Sequence, residues 1–347
     1  MGKLSCEVCV KWLCGILFSV FAFCWIYFFQ QDLLCAAYNK ALYGMEHPIG
    51  IDAPNSAVVA LLLTAFSQLL VLPGKFLLRF KRGLYACNYL FAAAFLGIIT
   101  IYDGNSLFGE LTIKWMLTVI FVVLLYLVCK IVASVPRSDH NDRPRTLAGN
   151  LLILAFLFCM TGYVGNTDEN LHRRLRMERL YAEQDYEGVL NVGSLEEESN
   201  QTIDLLRAKS MLNLPADANP AGSRIGDLLF EYSISDPKAL SAALKEMDNT
   251  QAYLTSCLLQ GDIDSFRDSI NLNNYTTLPK YYLQALIIAN DTTVQAKFPD
   301  QYAREQTTYT TFRQSLLQLE SAPKQYQSNA TYIAHHQTFF WFYTFSK

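Results

Sequence analysis

Hydrophobic and polar positions divide this chain in two. The first 165 residues hold five long apolar runs, at 12–31, 53–74, 83–102, 115–135 and 146–166, separated by short polar stretches. Ala60-Leu61-Leu62-Leu63 and Val119-Ile120-Phe121-Val122-Val123-Leu124-Leu125 show how dense they are. A helix needs about 20 apolar residues to cross the hydrocarbon core of a bilayer. Four of the runs reach that length without a charge. The run at 115–135 contains Lys130, whose aliphatic stem can lie along the helix while its ammonium reaches the interface, so that helix is expected to continue to Val135. Five transmembrane spans are expected.

Beyond Asn166 charges recur every few residues and the apolar positions fall at helical spacing. Ile203, Leu205, Leu206, Ala208, Met211 and Leu212 share one helical face. Similar stretches lie at 171–186, 239–247, 251–260, 279–289 and 304–319. Breaks come at Leu214–Gly222, Ser235–Pro237 and Phe298–Asp300, where Pro, Gly, Asn and Asp cluster. Strand-like alternation is scarce. The expected fold class is all-α: a five-helix transmembrane bundle over residues 1–165, then a helical, solenoid-like soluble domain over 166–347.

Composition sharpens this division. The chain has 347 residues, 52% of them hydrophobic and only 17% charged. Residues 1–165 carry 12 Lys+Arg and 8 Asp+Glu, while 166–347 carry 16 and 23, so a net −3 hides halves of +4 and −7. That pattern excludes a disordered chain and a broad basic nucleic-acid-binding surface. With the N-terminus inside, the inner segments hold Lys3, Lys11, Lys75, Arg79, Lys81, Arg82, Lys130, Arg137, Arg143 and Arg145, and the outer loops hold only Lys40 and Lys114. The positive-inside rule then puts the N-terminus in the cytoplasm and the C-terminal domain outside the inner (plasma) membrane. Lys75, Arg79, Lys81, Arg82, Arg143 and Arg145 are the topology anchors, facing anionic headgroups. The first span is long for a signal peptide, and no Ala-x-Ala cleavage site follows it, so an uncleaved anchor is expected. Gly2 with Ser5 misses the myristoylation pattern by one place.

The apolar runs contain no carboxylate; their polar residues are Ser, Thr, Gln68, Asn88 and Asn150. Proton relays and ion-coupled carriers need titratable groups at mid-depth, which argues against both. Ala93 and Gly97, four apart, suit close helix packing.

Two places in the outer half echo each other. Leu180, Tyr181, Asp185, Tyr186 and Glu187 precede Val189 and Leu190; Leu258, Gly261, Asp262, Ile263 and Asp264 precede Phe266. Each reads as a helix end, a tight turn with Asp, and an acidic start to a second helix, which complements the helix dipole. This arrangement resembles the turn of tetratricopeptide (TPR) repeats. The copies lie 77 residues apart and the Trp-x-x-Leu-Gly signature is missing, so the resemblance is to a degenerate TPR-like fold over about residues 166–321. It implies a stacked helical array whose concave face takes a protein partner. The positions that shape it are Tyr181, Asp185, Tyr186, Leu258, Gly261, Asp262 and Phe266. The end of the chain, Phe339-Phe340-Trp341-Phe342-Tyr343-Thr344-Phe345, either caps the last helix or lies in the membrane interface, and capping is favoured.

Candidate chemistry is sparse. Of nine Cys, Cys14, Cys24, Cys35, Cys87, Cys129 and Cys159 lie in or beside spans, where Cys behaves as a small apolar residue. Cys6 and Cys9 lack a second pair for zinc. His335 and His336 cannot both face one metal from one helix. No Gly-rich phosphate loop is present, and no cofactor or metal is expected. Asn200, Asn274, Asn290 and Asn329 begin Asn-x-Ser/Thr sequons, which matter only in a eukaryotic host. Asp32, just past the first span, with Glu46 and His47 in the same outer loop, resembles in position the acidic residue of polytopic glycosyltransferases that use lipid-linked sugars. This implies an alternative: a lipid-carrier-dependent transferase.

Five spans, a TPR-like outer half and an aromatic end together resemble an uncharacterised family of Gram-negative bacterial multi-spanning membrane proteins. That resemblance implies envelope localisation and supplies no catalytic residues. The leading expectation is a non-enzymatic scaffold: the bilayer and a protein are its partners, and nucleic acid is not.

Overall fold

The structure is a computed structural model describing residues 2–46, 55–78, 84–102, 143–193, 199–217 and 222–346, with Val123 and Leu127 between them. Every regular element among the described residues is helical; the sole β contact there is an isolated bridge between Pro215 and Ser223. The fold is all-α. It divides into two compact units, Met1–Leu175 and Arg176–Lys347.

In the first unit α1 (Gly2–Cys24) runs on through a π-helical turn at Trp25–Phe29, and α2 (Gln31–Tyr43) follows after Gln30. The next apolar run is two helices, α3 (Ser56–Leu69) and α4 (Val71–Leu78). Pro73 explains the break at Leu70: it has no N–H for the Leu69 carbonyl, and its ring crowds the preceding turn. Asn55 caps α3, its Oδ1 accepting from the Ala57 and Val58 amides at 3.0 and 3.4 Å. The run at 83–102 begins as a 3-10 turn, Tyr85–Tyr89, and continues as α5 (Leu90–Ile99). The last apolar helix is α6 (Arg143–Val164).

Three of these stretches are long and apolar enough to cross a membrane: Val8–Phe29, Ser56–Phe76 and Leu147–Val164; Tyr85–Ile99 is apolar but shorter. The expected span at 115–135 lies outside the described residues except for Val123 and Leu127.

Contacts along the helices fix their directions. Lys11 Nζ lies 4.7 Å from the Tyr85 ring centroid, and the Phe18 and Tyr89 rings are 4.8 Å apart, so α1 and α5 run the same way. Phe66 meets Phe95 at 5.1 Å while Gly74 abuts Asn88, so α3 and α4 run against α5. Asn150 Oδ1 accepts from the Ala86 amide at 2.8 Å, Thr161 Oγ1 donates to the Ala93 carbonyl at 3.3 Å, and the Asn166 amide donates to the Thr100 carbonyl at 2.7 Å. Helices α5 and α6 are therefore parallel. Gly97 allows their approach, since a Cβ there would lie 2.9 Å from Val164 Cγ1.

The second unit starts within α7 (Glu169–Ala182), whose Leu171 and Leu175 still pack with Leu33, Ala36 and Tyr102 of the first unit's core. It continues through α8 (Tyr186–Asn191), α9 (Gln201–Asn213), α10 (Ile225–Leu228), α11 (Pro237–Lys245), α12 (Thr250–Gln260), α13 (Ile263–Ser269), α14 (Lys280–Ile288), α15 (Thr292–Lys297), α16 (Pro299–Gln318), α17 (Lys324–His335) and α18 (Phe339–Phe345). Its core centres on α12 and α14, with Leu258, Phe266, Tyr281, Tyr282, Phe339 and Phe340 all buried. Helix α18 caps this core. Phe230 stacks edge-on against Phe339 and Phe342 at 5.3 and 4.7 Å, and the Phe339 amide donates to Gln284 Oε1 at 2.6 Å.

Candidate functional site

Asp32 and Glu46, expected in one outer loop, lie at opposite ends of a helix. Asp32 sits in the first turn of α2, where a carboxylate complements the dipole. Glu46 lies just beyond the other end, past Gly44, whose φ of 74° closes the helix in the left-handed conformation. Its carboxylate receives the Tyr102 hydroxyl at 2.5 Å and pairs with Arg174 at 3.1 Å and Lys40 at 3.6 Å. The Lys40 ammonium also lies 5.5 Å from the Tyr102 ring centroid. With its side chain only 18% exposed, Glu46 ties α2, the end of the α5 segment and the start of α7 together. Eight residues at a rise of about 1.5 Å set Asp32 about 12 Å along the axis from Lys40, the residue Glu46 touches. A carboxylate pair sharing one reaction centre sits closer, within about 5–9.5 Å. His47 lies outside the described residues.

Beside this junction Gln30 Nε2 donates to the Asn166 carbonyl at 3.0 Å, and Asn166 Nδ2 donates to the Tyr102 carbonyl at 2.8 Å. His172 Nε2 lies 3.0 Å from the same Asn166 carbonyl. The sequence did not mark Asn166 as anything but a span boundary, yet it binds both preceding apolar segments.

Of the topology anchors, Lys75 lies in the last turn of α4, and Arg143 and Arg145 open α6. Arg79, Lys81 and Arg82 lie outside the described residues.

The two expected turns are present and a third joins them. Gln184, Gly261 and Asn290 have φ of 62°, 71° and 55°. In each case the next residue is an Asp, and its amide reaches back five residues: Asp185 to Leu180, Asp262 to Cys257 and Asp291 to Leu286, each at 2.9–3.1 Å. Each Asp side chain then caps a short helix, accepting from the Gly188, Ser265 and Thr293 amides at 2.9, 3.0 and 2.8 Å. These bonds pull the Asp262 carboxyl below its ordinary range, the Ser265 bonds being the main cause. Tyr181 and Tyr186 meet edge-on across the first turn at 5.5 Å, while Leu258 and Phe266 are core residues. The third turn lacks the acidic helix start that marks the other two: Thr292 and Thr293 follow Asp291, where Glu187 and Asp264 follow Asp185 and Asp262. Asn-Asp after the apolar run ending at Ala289 was its signal.

Among the described residues no group of three or more His, Cys, Asp or Glu side chains could hold a metal ion. Cys35 Sγ accepts from Asn39 Nδ2 at 3.5 Å, and burial pushes the Cys257 thiol up. Burial likewise raises the Tyr281 and Tyr282 phenols, the latter bonded to Thr255 at 3.2 Å and Gln251 Oε1 at 2.9 Å.

The concave feature of the second unit is a half-open groove of about 680 Å³. The loop residues Tyr232, Ser233 and Ile234, leading towards α11, form one wall. Tyr332, Ile333 and His336 of α17 form the other, over a floor of Trp341 and Phe342 from α18. Its volume lies within the range of about 300–1,000 Å³ usual for ligand sites. Two buried polar residues, Asp204 and Arg207, adjoin this wall. Asp204, 2% exposed, accepts from Ser199 Oγ at 2.5 Å and from the Ser235 amide and hydroxyl at 2.8 and 2.6 Å. Arg207 donates to Ser199 Oγ at 3.3 Å and the Gly193 carbonyl at 3.2 Å, and its guanidinium lies 4.8 Å from the Tyr232 ring centroid. Sequence reading missed both residues, since a buried ion inside an amphipathic helix looks like any surface charge.

No family model, curated protein or solved structure matches this chain.

Proposed function

We propose that this chain is an inner-membrane protein of five spans that holds a TPR-like helical module outside the cytoplasm to bind a partner protein. The observation that carries the reading is the aromatic groove of the second unit. Ligand-binding proteins use such concave, largely apolar surfaces. Glu46 engaged by Tyr102, Arg174 and Lys40, and set apart from Asp32, favours a structural junction over a transferase centre.

Helix direction supports five spans. Since α5 and α6 are parallel, the chain leaves α5 at one end of the unit and enters α6 at the other. In lipid only a helix satisfies its own backbone across that distance, and 115–135 is the apolar run between them. The inner assignment of the α6 start follows from Lys11, Lys75, Arg143 and Arg145 belonging to the same end. The repeated turns at Gly261 and Asn290, with that at Gln184, support a stacked helical module. The short helices that follow them support a degenerate rather than a regular repeat. Membership of the uncharacterised Gram-negative family belongs to the same proposal.

Fusions of alkaline phosphatase and of green fluorescent protein after Lys347 test the address. Active phosphatase is expected; bright fluorescence with inactive phosphatase sinks the outside assignment. Replacing Asp32 by Asn is expected to leave cell-surface glycans unchanged, and their loss at normal protein level would establish the transferase instead.

A further inference from the structure

We infer that the outward face of α17 rests on an anionic lipid surface. The inference gives the second unit a lipid contact of its own, and it rests on the reading that the apolar helices lie in a bilayer.

Helix α17 is built inside out. A helix on a water-facing surface turns its apolar stripe inward and its polar residues outward. In α17 the inward stripe is Gln327, Thr331 and His335, spaced four apart, and Thr331 and His335 are its buried residues. These polar groups are accommodated locally: Gln327 Nε2 donates to the Ala322 carbonyl at 2.9 Å, Thr331 Oγ1 donates to the Gln327 carbonyl at 2.8 Å, and the His335 ring meets Phe312 edge-on at 5.2 Å. The outward stripe is Tyr326, Ala330, Ile333 and Ala334, with Asn329 among them; Ile333 is 90% exposed and Tyr326 60%. Five large hydrophobic side chains are exposed among the described residues of the second unit. Four of them, Leu317, Tyr326, Tyr332 and Ile333, lie on α17 or in the last turn of α16. Clustering of that kind marks a contact surface, whereas single exposed apolar residues do not.

Charge selects the occupant. Residues 166–320 carry 14 Lys+Arg and 23 Asp+Glu, a net −9, while 321–347 hold Lys324 and Lys347 and no Asp or Glu. Anionic headgroups repel a body of that charge and accept it through a face free of carboxylates. Lys324 opens α17 and Tyr326 follows one place on; a Lys stem lies along apolar surface with its ammonium among headgroups, and Tyr favours the same depth. At about 1.5 Å per residue, α17 is about 18 Å long, too short to cross a bilayer and suited to lying flat on one. The bilayer is also close at hand, because the second unit begins at Arg176, shortly after the apolar helix α6 ends at Val164. Such a tether raises the effective concentration of the surface. Tyr332 and Ile333 also border the groove, which thereby opens beside the lipid.

The test uses the full chain in nanodiscs of phosphatidylethanolamine and phosphatidylglycerol, with benzoylphenylalanine in place of Tyr326 or, as a control, of Asp248, an exposed acidic residue between α11 and α12. Intact-mass spectrometry after irradiation reads the adducts. Lipid adducts are expected at position 326, about fivefold or more above those at 248. Ile333→Asp and Lys324→Glu should each lower the yield at 326 by about threefold or more, with circular dichroism unchanged because both side chains are exposed. Phosphatidylcholine in place of phosphatidylglycerol should reproduce the loss seen with Lys324→Glu. Equal yields at 326 and 248, or indifference to both substitutions, overturns the proposal. So do adducts at 326 chiefly to a second copy of the chain, or, in native membranes, to another protein. A chain that stays in the nanodisc and takes no lipid at 326 removes this face alone; a chain that stays soluble without lipid or detergent removes the bilayer reading with it.

Discussion

Asp204 offers the sharpest test of how the second unit is held together. Its carboxylate is buried and accepts three hydrogen bonds, one from Ser199 and two from Ser235. Hydrogen bonds to a charged acceptor are each worth about 1.5–3 kcal/mol net. Truncation to Ala removes all three and strands the Ser235 amide in a buried setting. The expected cost is about 3–5 kcal/mol, the range for breaking a buried charged network from one side. Asp204→Asn keeps the shape and one acceptor oxygen but turns an NH₂ towards donors, so about 1–3 kcal/mol is expected. Ser235→Ala deletes one bond of the set and should cost about 1 kcal/mol. Hydrogen exchange with mass spectrometry on the full chain reads this locally. Peptides covering α9 and the start of α11 should lose protection by about a hundredfold or more in Asp204→Ala, because each 1.4 kcal/mol is a factor of ten. Exchange in α1 and α6 should stay as it was. A change below about threefold in α9 would mean that the network is not under tension from the fold, and the reasoning would be wrong.

Four further outcomes are expected. Gly74→Ala places a Cβ 2.5 Å from the Asn88 carbonyl oxygen, and should lower the detergent-solubilised melting temperature by an amount equivalent to about 1–3 kcal/mol; an unchanged melt would deny the close approach of α4 to the Tyr85–Tyr89 turn. Gln184→Gly relieves a non-glycine residue at φ 62° and should stabilise the second unit by about 1 kcal/mol in urea titrations, whereas Gly261→Ala should destabilise it by a similar amount. For Glu46 and Arg174, a double-mutant cycle to Ala should give a coupling of about 0.5–3 kcal/mol, and zero coupling would leave the 3.1 Å pair without energetic meaning. Burial holds the His335 imidazolium below its ordinary value of 6.5, so the unfolded chain takes up a proton that the folded one excludes. The associated stability is complete above that value and falls as the pH drops through the folded pKa; His335→Leu should flatten the decline in urea midpoints between about pH 7.5 and pH 5.

What could be read from sequence follows from the range of each interaction. Three helices long and apolar enough to cross a membrane were legible because length and apolarity are properties of a single run, and the all-α class because helical periodicity is local. The turns at Gly261 and Tyr181–Tyr186 were legible as well, but the one at Asn290 was not, since Thr292 and Thr293 open its second helix where the other two have Glu187 and Asp264. The break in the second span at Leu70 was there to be read in Pro73 and passed unnoticed inside an apolar run. Glu46 shows the opposite limit. Proximity in sequence grouped it with Asp32, whereas its partners Tyr102 and Arg174 lie 56 and 128 residues away. The groove belongs to the same class, because its walls come from Tyr232–Ile234 and from Tyr332–Trp341, about a hundred residues apart, and no local pattern records that meeting.

Four polar residues inside the apolar helices are engaged with neighbouring side chains or backbone. Gln68 donates to Ser19 Oγ at 2.8 Å, Ser19 donates to the Gly15 carbonyl at 2.9 Å, Asn150 accepts from the Ala86 amide at 2.8 Å, and Thr161 donates to the Ala93 carbonyl at 3.3 Å. Each of these bonds joins two helices or folds a hydroxyl back onto its own helix, as packing in lipid requires. A solute or proton path would need such groups turned towards a shared lumen and at least one that titrates, and the apolar runs contain no carboxylate. In the second unit the core of α12 and α14 is closed in the same way, Ser241 donating to the Ser256 carbonyl at 3.0 Å and Thr255 bonding to Tyr282 at 3.2 Å, while Ile333 stands open beside the groove. On the proposed reading the apolar helices spend their polar groups on one another and a partner meets the second unit.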